Sequence, residues 1–271
     1  MPSGRLRQFI EAKQHELPQL KRRFSPSWRE ELLSLIPAAP SFLDAITPTS
    51  SQHVCLIGEI KPSSPSAGYL SCPQMVLDTA LPHYNQFVQA LSVLTEPQFF
   101  GGSPELFQQV GQRSPLPRLW KDFVIDPFQL QLARACGASA VLLIVKALKG
   151  SQLNELHQAA LEQELLPVVE AQSKEEIERA VVLGAQAVLI NNRDLETLDV
   201  DLATTERLAP LLPETTLCIS ASGLSAPTDL QRLAPYCQSF LIGTSLMKTS
   251  LDGLAVKLQE LTQALSGAVY D

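Results

Sequence analysis

The chain has 271 residues, of which 45% are hydrophobic and 18% charged, so it can bury a large core and is not intrinsically disordered. Its formal net charge of −7 at pH 7 argues against a nucleic-acid-binding protein, because such proteins present a basic face to the phosphate backbone. No apolar run approaches the roughly 18 residues of a membrane span, and the N-terminal segment is charged throughout, so we expect neither a membrane anchor nor a signal peptide.

The cysteines indicate a reducing compartment. There are five of them, and no CxxC pair occurs. Cys55, Cys136 and Cys218 lie in or beside apolar segments, where a free thiol behaves as a small hydrophobic side chain. We therefore expect buried, unpaired thiols and a cytoplasmic protein.

The segment before the first predicted strand is helical in pattern. Residues 8–17 predict an amphipathic helix with Pro18 as its stop, and residues 27–35 predict a second helix. A segment of this length is too small to form a domain of its own. We therefore predict that residues 1–50 are a helical extension packed on a single domain formed by residues 51–271.

Beyond this extension, short apolar runs alternate with helical patterns, which predicts parallel βα units. No GxGxxG turn follows the first strand, so a dinucleotide-binding sheet is not indicated. Eight strands with helical crossovers favour a closed (β/α)₈ barrel, a TIM barrel, over an open doubly wound sheet. The predicted strands are 54–60, 87–94, 117–121, 140–145, 166–170, 187–190, 216–220 and 239–242.

Two of the predicted helices begin with recognisable N-terminal signals. Ser103 followed by Pro104 is typical of an N-cap and first helical position. Ser173 and Glu176 have the spacing of a capping box. The closing helix is expected at residues 251–265.

Two glycine-containing turns follow the last two predicted strands, at residues 220–223 (SASG) and 243–245 (GTS). Glycine lets a backbone approach an anion closely, and hydroxyl side chains add hydrogen-bond donors. In a (β/α)₈ barrel the loops after strands 7 and 8 often form a phosphate site, so we predict one here. The alternative is a pair of ordinary strand-to-helix turns.

Polar side chains stand at the carboxyl ends of four further strands, where barrel enzymes place their catalytic groups. One such charge is more often solvated or structural than catalytic. Together, lysines and carboxylates on one rim predict acid–base chemistry on a phosphorylated small molecule, with a lysine as proton donor and a glutamate nearby. The rim residues are Glu59, Lys61, Lys121, Asp122, Glu170, Asn191, Asn192, Arg193 and Asp194.

These same segments resemble the indole-3-glycerol phosphate synthase family. Residues 59–68, EIKPSSPSAG, resemble the family signature E-x-K-x-x-S-P-S-x-G. Residues 92–96, SVLTE, and residues 121–126, KDFVID, resemble two further blocks. Matches at 142–145, 169–170 and 190–195 follow in the family's order. The resemblance covers about residues 5–265.

The resemblance implies a reaction and a set of roles. The family converts 1-(2-carboxyphenylamino)-1-deoxyribulose 5-phosphate to indole-3-glycerol phosphate, losing CO₂ and water, without a cofactor or metal. Lys121 resembles the general acid of ring closure, and Glu170 resembles the acid–base group of dehydration. Lys61 resembles the lysine that holds the substrate carboxylate, and Glu59 the carboxylate that orients the lysines. Asn191 is expected beside the reacting carboxylate.

The resemblance also implies substrate contacts. Apolar side chains are expected to form the wall of the aryl pocket, and small or hydroxyl-bearing residues to contact the phosphate and sugar. The expected contacts are Phe100, Phe123, Leu142, Leu195 and Leu241 for the apolar part, and Ser64, Ser222, Gly223, Gly243 and Thr244 for the polar part. Arg193 is expected, with Asn191, around the aryl carboxylate.

One residue departs from the family pattern. Where the family usually has S-E-S-G, this chain has Ala221, which supplies neither charge nor hydrogen bond. Three interpretations stay open: a synthase slowed by this change, a non-catalytic or regulatory paralogue that binds a phosphorylated ligand, and a different lyase or isomerase acting on a related phosphosugar. A monomer is compatible with the sequence, which does not fix the oligomeric state.

Overall fold

Eight parallel strands close into a barrel in a computed structural model that describes residues 4–35, 39–49 and 54–266. Each strand pairs with its neighbour in sequence, and β1 also pairs with β8, which closes the ring. This confirms the predicted (β/α)₈ fold. The strands are β1 Cys55–Ile60, β2 Ala90–Leu94, β3 Arg118–Lys121, β4 Ala140–Ile144, β5 Leu166–Ala171, β6 Ala187–Asn191, β7 Leu217–Ala221 and β8 Ser239–Ile242.

Helices precede the barrel and cover its outside. Three precede β1, and one main helix follows each strand. Short helical turns at 73–75, 76–80, 97–100, 145–147, 209–211 and 244–247 and a small hairpin at 63–64 and 68–69 supplement them. The helices are α1 Gly4–Arg23, α2 Pro26–Leu35, α3 Phe42–Ile46, α4 Leu81–Phe87, α5 Pro104–Arg113, α6 Pro127–Ala135, α7 Gln152–Glu162, α8 Lys174–Val182, α9 Ala203–Leu208, α10 Pro227–Leu233 and α11 Leu251–Ser266.

The strand boundaries differ from prediction by up to three residues. The largest difference is at β2, which begins at Ala90 because α4 extends to Phe87 and the Val88 amide bonds back to Tyr84. At β7, the strand continues to Ala221, so the first two residues of the predicted SASG turn are strand residues. Their side chains are therefore fixed by strand pairing, whereas Ser222 and Gly223 form the turn itself.

The prediction that Pro18 ends the first helix is wrong. Helix α1 continues through Pro18 to Arg23. Pro18 lacks an amide hydrogen and so removes one backbone hydrogen bond, but Leu17 and Leu20 on either side of it are buried in the core. Burial of these side chains stabilises the second half of the helix despite the proline.

Both predicted N-caps form, but the predicted capping box at Ser173 is not completed. Ser103 accepts a hydrogen bond from the Leu106 amide, as predicted. Ser173 accepts from the Glu176 amide, but the Glu176 carboxylate accepts from the amide of Gln172 instead of completing a reciprocal box with Ser173. The predicted boundary between residues 50 and 51 lies outside the described residues.

All five cysteines are unpaired thiols, and four of them are buried. Cys55, Cys136 and Cys218 are buried and free, as predicted. Burial raises the pKa of the Cys55 thiol to about 11 and that of Cys218 to about 12, because the thiolate is poorly solvated there. These thiols are packing groups and not nucleophiles.

Candidate active site

The carboxyl ends of the strands surround a cavity of about 350 Å³. Parallel strands all end on one side of a barrel, so side chains far apart in sequence converge there. The residues to which the resemblance gives a catalytic or substrate-contact role all line this cavity. Of the other predicted rim residues, Asp122 lines it, whereas Asn192 and Asp194 do not. The placement of the lining residues together is what the structure adds to the prediction.

The first charged pair in the cavity is formed by Glu59, in β1, and Lys61, which follows β1. The Lys61 Nζ donates to the Glu59 Oε1 at 2.6 Å. Burial favours the neutral form of the Glu59 carboxyl, but the positive charges of Lys61 and Lys121 outweigh burial and hold its pKa below the ordinary value. Glu59 is therefore a carboxylate at neutral pH, placed between two lysines.

The second charged group joins β3, β5 and β6. The Lys121 Nζ lies 3.7 Å from the Glu170 Oε2, and the Asn191 Nδ2 donates to the other oxygen, Oε1, at 3.1 Å. Glu170 is almost fully buried, so these two partners orient a carboxylate that water barely reaches. A proton donor on β3 and a proton acceptor on β5 thus face the same cavity, with β4 between them.

Arg193 is held at the rim by its own loop. Its Nη1 donates to the Leu198 carbonyl at 2.6 Å, and its amide donates to the Asn191 Oδ1 at 3.1 Å. The Gln172 side chain donates to the Arg193 carbonyl. The loop after β6 is therefore ordered by hydrogen bonds, which fixes both Arg193 and the Asn191 amide group.

An aromatic cluster forms one wall of the cavity. The ring of Phe123 stacks on that of Phe9 with centroids 4.9 Å apart, and lies 6.2 Å from that of Phe100. Phe9 also makes an edge contact with Phe99 at 4.8 Å. Because Leu142 and Leu195 line the same cavity, a flat aromatic group has an apolar surface to pack against.

The turns after β7 and β8 lie side by side because these strands are paired. Ser222 and Gly223 both have left-handed backbone conformations, with φ of 69° and 82°. For Ser222 this conformation is uncommon, and strained residues of this kind cluster at functional sites. A Cβ added at Gly243 would meet the Glu59 carboxylate, so glycine here allows β8 and β1 to end close together.

Ala221, where the resemblance leads us to expect a glutamate, is 3% exposed. It lies at the end of β7, level with Asn191 on one side and with Leu241 on the other. Since Ala221 also lines the cavity, a longer side chain at this position would enter it.

Several cavity residues were not predicted from the sequence. Phe9 belongs to the helix before the barrel, and no local pattern distinguishes it from a core aromatic. Lys248 follows the second glycine turn, and its position in GTSLMK was the available signal. The remaining unpredicted residues of the cavity wall are Pro65, Ser66, Leu94, Glu96, Ile144, Leu198, Leu224, Ser225 and Ile242.

Comparison with known proteins decides the family. The sequence profile of the family described as indole-3-glycerol phosphate synthase matches residues 6–258. The chain belongs to the indole-3-glycerol phosphate synthase family. This membership confirms the predicted enzyme class, a carboxy-lyase of tryptophan biosynthesis.

Individual relatives support the family along most of the chain. An indole-3-glycerol phosphate synthase from Acinetobacter baumannii is 36% identical over 245 residues, which is 90% of each chain. One from Methanocaldococcus jannaschii is 41% identical over 198 residues, covering 72% of this chain and 73% of that protein.

Among solved structures, the likeness extends to more distant barrels. A 3-hexulose-6-phosphate synthase from Salmonella typhimurium superposes with a TM-score of 0.62 at 13% identity, over 78% of this chain and 98% of that chain. At this identity the likeness shows the barrel fold and nothing about the reaction. None of the described helices is both long and apolar enough to cross a membrane.

Proposed function

We propose that this protein converts 1-(2-carboxyphenylamino)-1-deoxyribulose 5-phosphate to indole-3-glycerol phosphate, with loss of CO₂ and water. The observation that carries the proposal is the contact of Glu170 with both Lys121 and Asn191 inside a cavity that has an aromatic wall. A proton donor, a proton acceptor and a surface for an aryl ring are what this ring closure requires.

Ring closure is the step assigned to Lys121. The aryl carbon that bears the carboxylate attacks the ribulose carbonyl carbon, and negative charge develops on the carbonyl oxygen. The Lys121 ammonium donates a proton to that oxygen as the carbon–carbon bond forms. The apolar wall formed by Phe100, Phe123, Leu142 and Leu195 holds the aryl ring against the carbonyl carbon.

Decarboxylation and dehydration complete the reaction. The carbon–carboxylate bond breaks, and its electron pair restores the aromatic ring. The new hydroxyl then leaves as water, with Glu170 exchanging the protons that this loss requires. Lys61 binds the substrate carboxylate before it leaves, and the Glu59 carboxylate orients the lysines toward the cavity.

The substrate phosphate is assigned to the paired turns after β7 and β8. Ser222, Gly223, Gly243 and Thr244 line that side of the cavity, and Lys248 adds a cationic side chain to it. Small residues leave room for a phosphate group, while backbone amides and hydroxyls can donate to its oxygens. Ser64 and Leu241 complete this part of the lining, and Arg193 and Asn191 are assigned to the aryl carboxylate.

The test is direct. Purified protein mixed with the carboxyphenylamino-deoxyribulose phosphate should produce indole fluorescence and one equivalent of CO₂. Substrate binding without either product would contradict the synthase assignment and support the alternative, a non-catalytic paralogue. That alternative rests on Ala221, which leaves the end of β7 without the glutamate usual in the family.

We expect Ala221→Glu to raise kcat/KM of the synthase reaction by about tenfold, or about 1.4 kcal/mol of transition-state stabilisation. The new carboxylate would enter the cavity beside Asn191 and supply an acceptor for the substrate hydroxyls. Steady-state kinetics on the parent and the variant measure the effect. Unfolding midpoints measured in parallel detect overpacking around the larger side chain.

Ala221→Gln is the matched control, because glutamine has nearly the same shape without the charge. A gain with glutamate alone assigns the effect to the carboxylate. A folded Ala221→Glu variant without any gain, beside a parent without turnover, would reject the synthase proposal. A parent that already turns over at rates ordinary for the family would show that Ala221 does not slow the enzyme.

A further inference from the structure

The N-terminal helix places a fully buried lysine against the catalytic end of β3. The Lys13 side chain is 0% exposed. Its Nζ lies 2.8 Å from the Oδ1 and 3.0 Å from the Oδ2 of Asp122, and 2.5 Å from the Oε2 of Glu16. Asp122, at 3% side-chain exposure, is the residue that follows Lys121 in the chain. A buried ion pair thus joins α1 to the neighbour of the proposed general acid.

Asp122 is constrained on both of its sides. Its Oδ1 accepts a hydrogen bond from the Phe123 amide at 2.8 Å, which fixes the first peptide of the loop after β3. On the preceding side, the Lys121 carbonyl accepts from the Thr95 amide at 3.1 Å. Among the residues that the structure describes, Lys13 is the one lysine paired with Asp122, so the orientation of this carboxylate depends on α1.

The same helix also reaches the aromatic wall. Phe9 lies one helical turn before Lys13 and therefore on the same side of α1. Its ring stacks on Phe123, two residues after Lys121. Helix α1 therefore contacts the loop after β3 twice, once through a charge and once through a ring.

A buried ion pair is an unusual way to attach a helix. Removing an ammonium and a carboxylate from water is costly, and apolar residues of the same volume often stabilise a fold as well or better. Burial alone would lower the pKa of the Lys13 ammonium, but the charges of Asp122 and Glu16 outweigh it and hold that pKa above its ordinary value. Lys13 is therefore charged at neutral pH, and its ammonium is paired with the carboxylates of Asp122 and Glu16.

Attachment of α1 does not require this pair. Lys21, two turns further along the helix, bonds to Asp126 of the same loop at 2.7 Å, and the Lys21 side chain is 47% exposed. The apolar side chains Leu6, Leu17 and Leu20 also bury the helix against the barrel. What Lys13 adds is a fixed orientation for Asp122 and a positive charge among the carboxylates that surround it.

We propose that Lys13 is a positioning residue for the reaction: through Asp122 it fixes the end of β3 and so holds Lys121 in its productive place opposite Glu170. This inference rests on the proposed synthase function. Without the Lys13 charge, Asp122 would be a buried carboxylate without its partner, next to Lys121 and close to Glu16 and Glu96. Lys121 would then be drawn toward Asp122 and away from Glu170 and the substrate carbonyl.

The experiment compares Lys13→Met with Lys21→Met, two changes of the same chemistry on the same helix. We expect Lys13→Met to lower kcat by roughly 10- to 100-fold, because a displacement of about 1 Å in a catalytic group has that effect. KM should stay within a factor of about three, since Lys13 does not touch the cavity. Lys21→Met should leave both constants unchanged.

Asp122→Asn separates positioning from attachment. If Lys13 acts through Asp122, the double variant Lys13→Met/Asp122→Asn should lose no more kcat than the worse single variant. This double variant leaves no unpaired charge between these two positions, so it carries the test if Lys13→Met alone does not fold. Amide hydrogen exchange of residues 119–124 should rise in Lys13→Met and not in Lys21→Met.

The results that overturn the inference are distinct. A folded Lys13→Met protein with parental kcat, or losses in kcat that multiply in the double variant, would reduce Lys13 to an attachment of α1. Equal hydrogen exchange at residues 119–124 in the parent and both lysine variants would have the same meaning. If hydrogen exchange at residues 119–124 rises in Lys13→Met and not in Lys21→Met, but the parent has no synthase turnover, the proposed function is contradicted. The coupling of α1 to β3 then still holds.

Discussion

Replacing Lys121 with methionine should lower kcat by about 10²- to 10⁴-fold, the usual effect of losing a general acid. Methionine has nearly the length of lysine but has no proton to donate to the carbonyl oxygen. Glu170 keeps its bond from Asn191 at 3.1 Å, so its carboxylate stays oriented after the change. We therefore expect a folded variant with intact substrate binding, measured by calorimetric titration with the substrate, which the variant no longer consumes.

Lys146→Met is a matched control for this change. Lys146 follows β4, on the same side of the barrel, but does not line the cavity. Its replacement should leave turnover unchanged. Near-parental kcat in Lys121→Met would remove Lys121 from the mechanism, and a loss of equal size in Lys146→Met would point to the rim charge as a whole.

The barrel and most of the cavity could be predicted because their signals are local. Each buried strand is a short apolar run, and the residue at its carboxyl end lies on the catalytic rim whatever the details of packing. Glu59, Lys121, Glu170 and Asn191 could thus be assigned to one rim without knowledge of their distances. The strand boundaries were less accurate, since a residue such as Val88 is equally apolar in a strand and at the end of α4.

The part played by α1 could not be predicted because it depends on contacts between residues distant in the sequence. Lys13 and Asp122 are 109 residues apart. In the sequence, Lys13 belongs to an amphipathic helix whose charged residues are normally solvated. The prediction that the first helix ends at Pro18 was wrong for a related reason. The local preference of proline to end a helix was outweighed by burial of Leu17 and Leu20 against the barrel.

These contacts make the helix before the barrel part of the cavity's construction. Phe9 contributes a ring to the wall, and Lys13 contributes the charge next to the end of β3. A barrel cut free of α1 would keep Lys121, Glu170 and Asn191 in its sequence. It would lose the groups that orient Asp122 and cover Phe123.

Gly243→Asp should raise KM by about 100-fold, which corresponds to about 2.7 kcal/mol of lost binding. Gly243 lies at the end of β8, beside the turn to which the substrate phosphate is assigned. Its φ of −128° lies outside the left-handed region that favours glycine. The conflict comes from the side chain, because a Cβ at this position meets the Glu59 carboxylate and the added anion repels phosphate.

Gly243→Ala distinguishes these two causes. Alanine introduces the same Cβ next to Glu59 without a charge, so it should disturb the Glu59–Lys61 pair and lower kcat while changing KM by less than the aspartate variant does. Circular dichroism of both variants checks that the barrel is intact. If KM rises equally in the two variants, crowding of Glu59 accounts for the loss. If KM is unchanged in a folded Gly243→Asp protein, the phosphate does not bind at the turns after β7 and β8, and a different part of the rim must hold it.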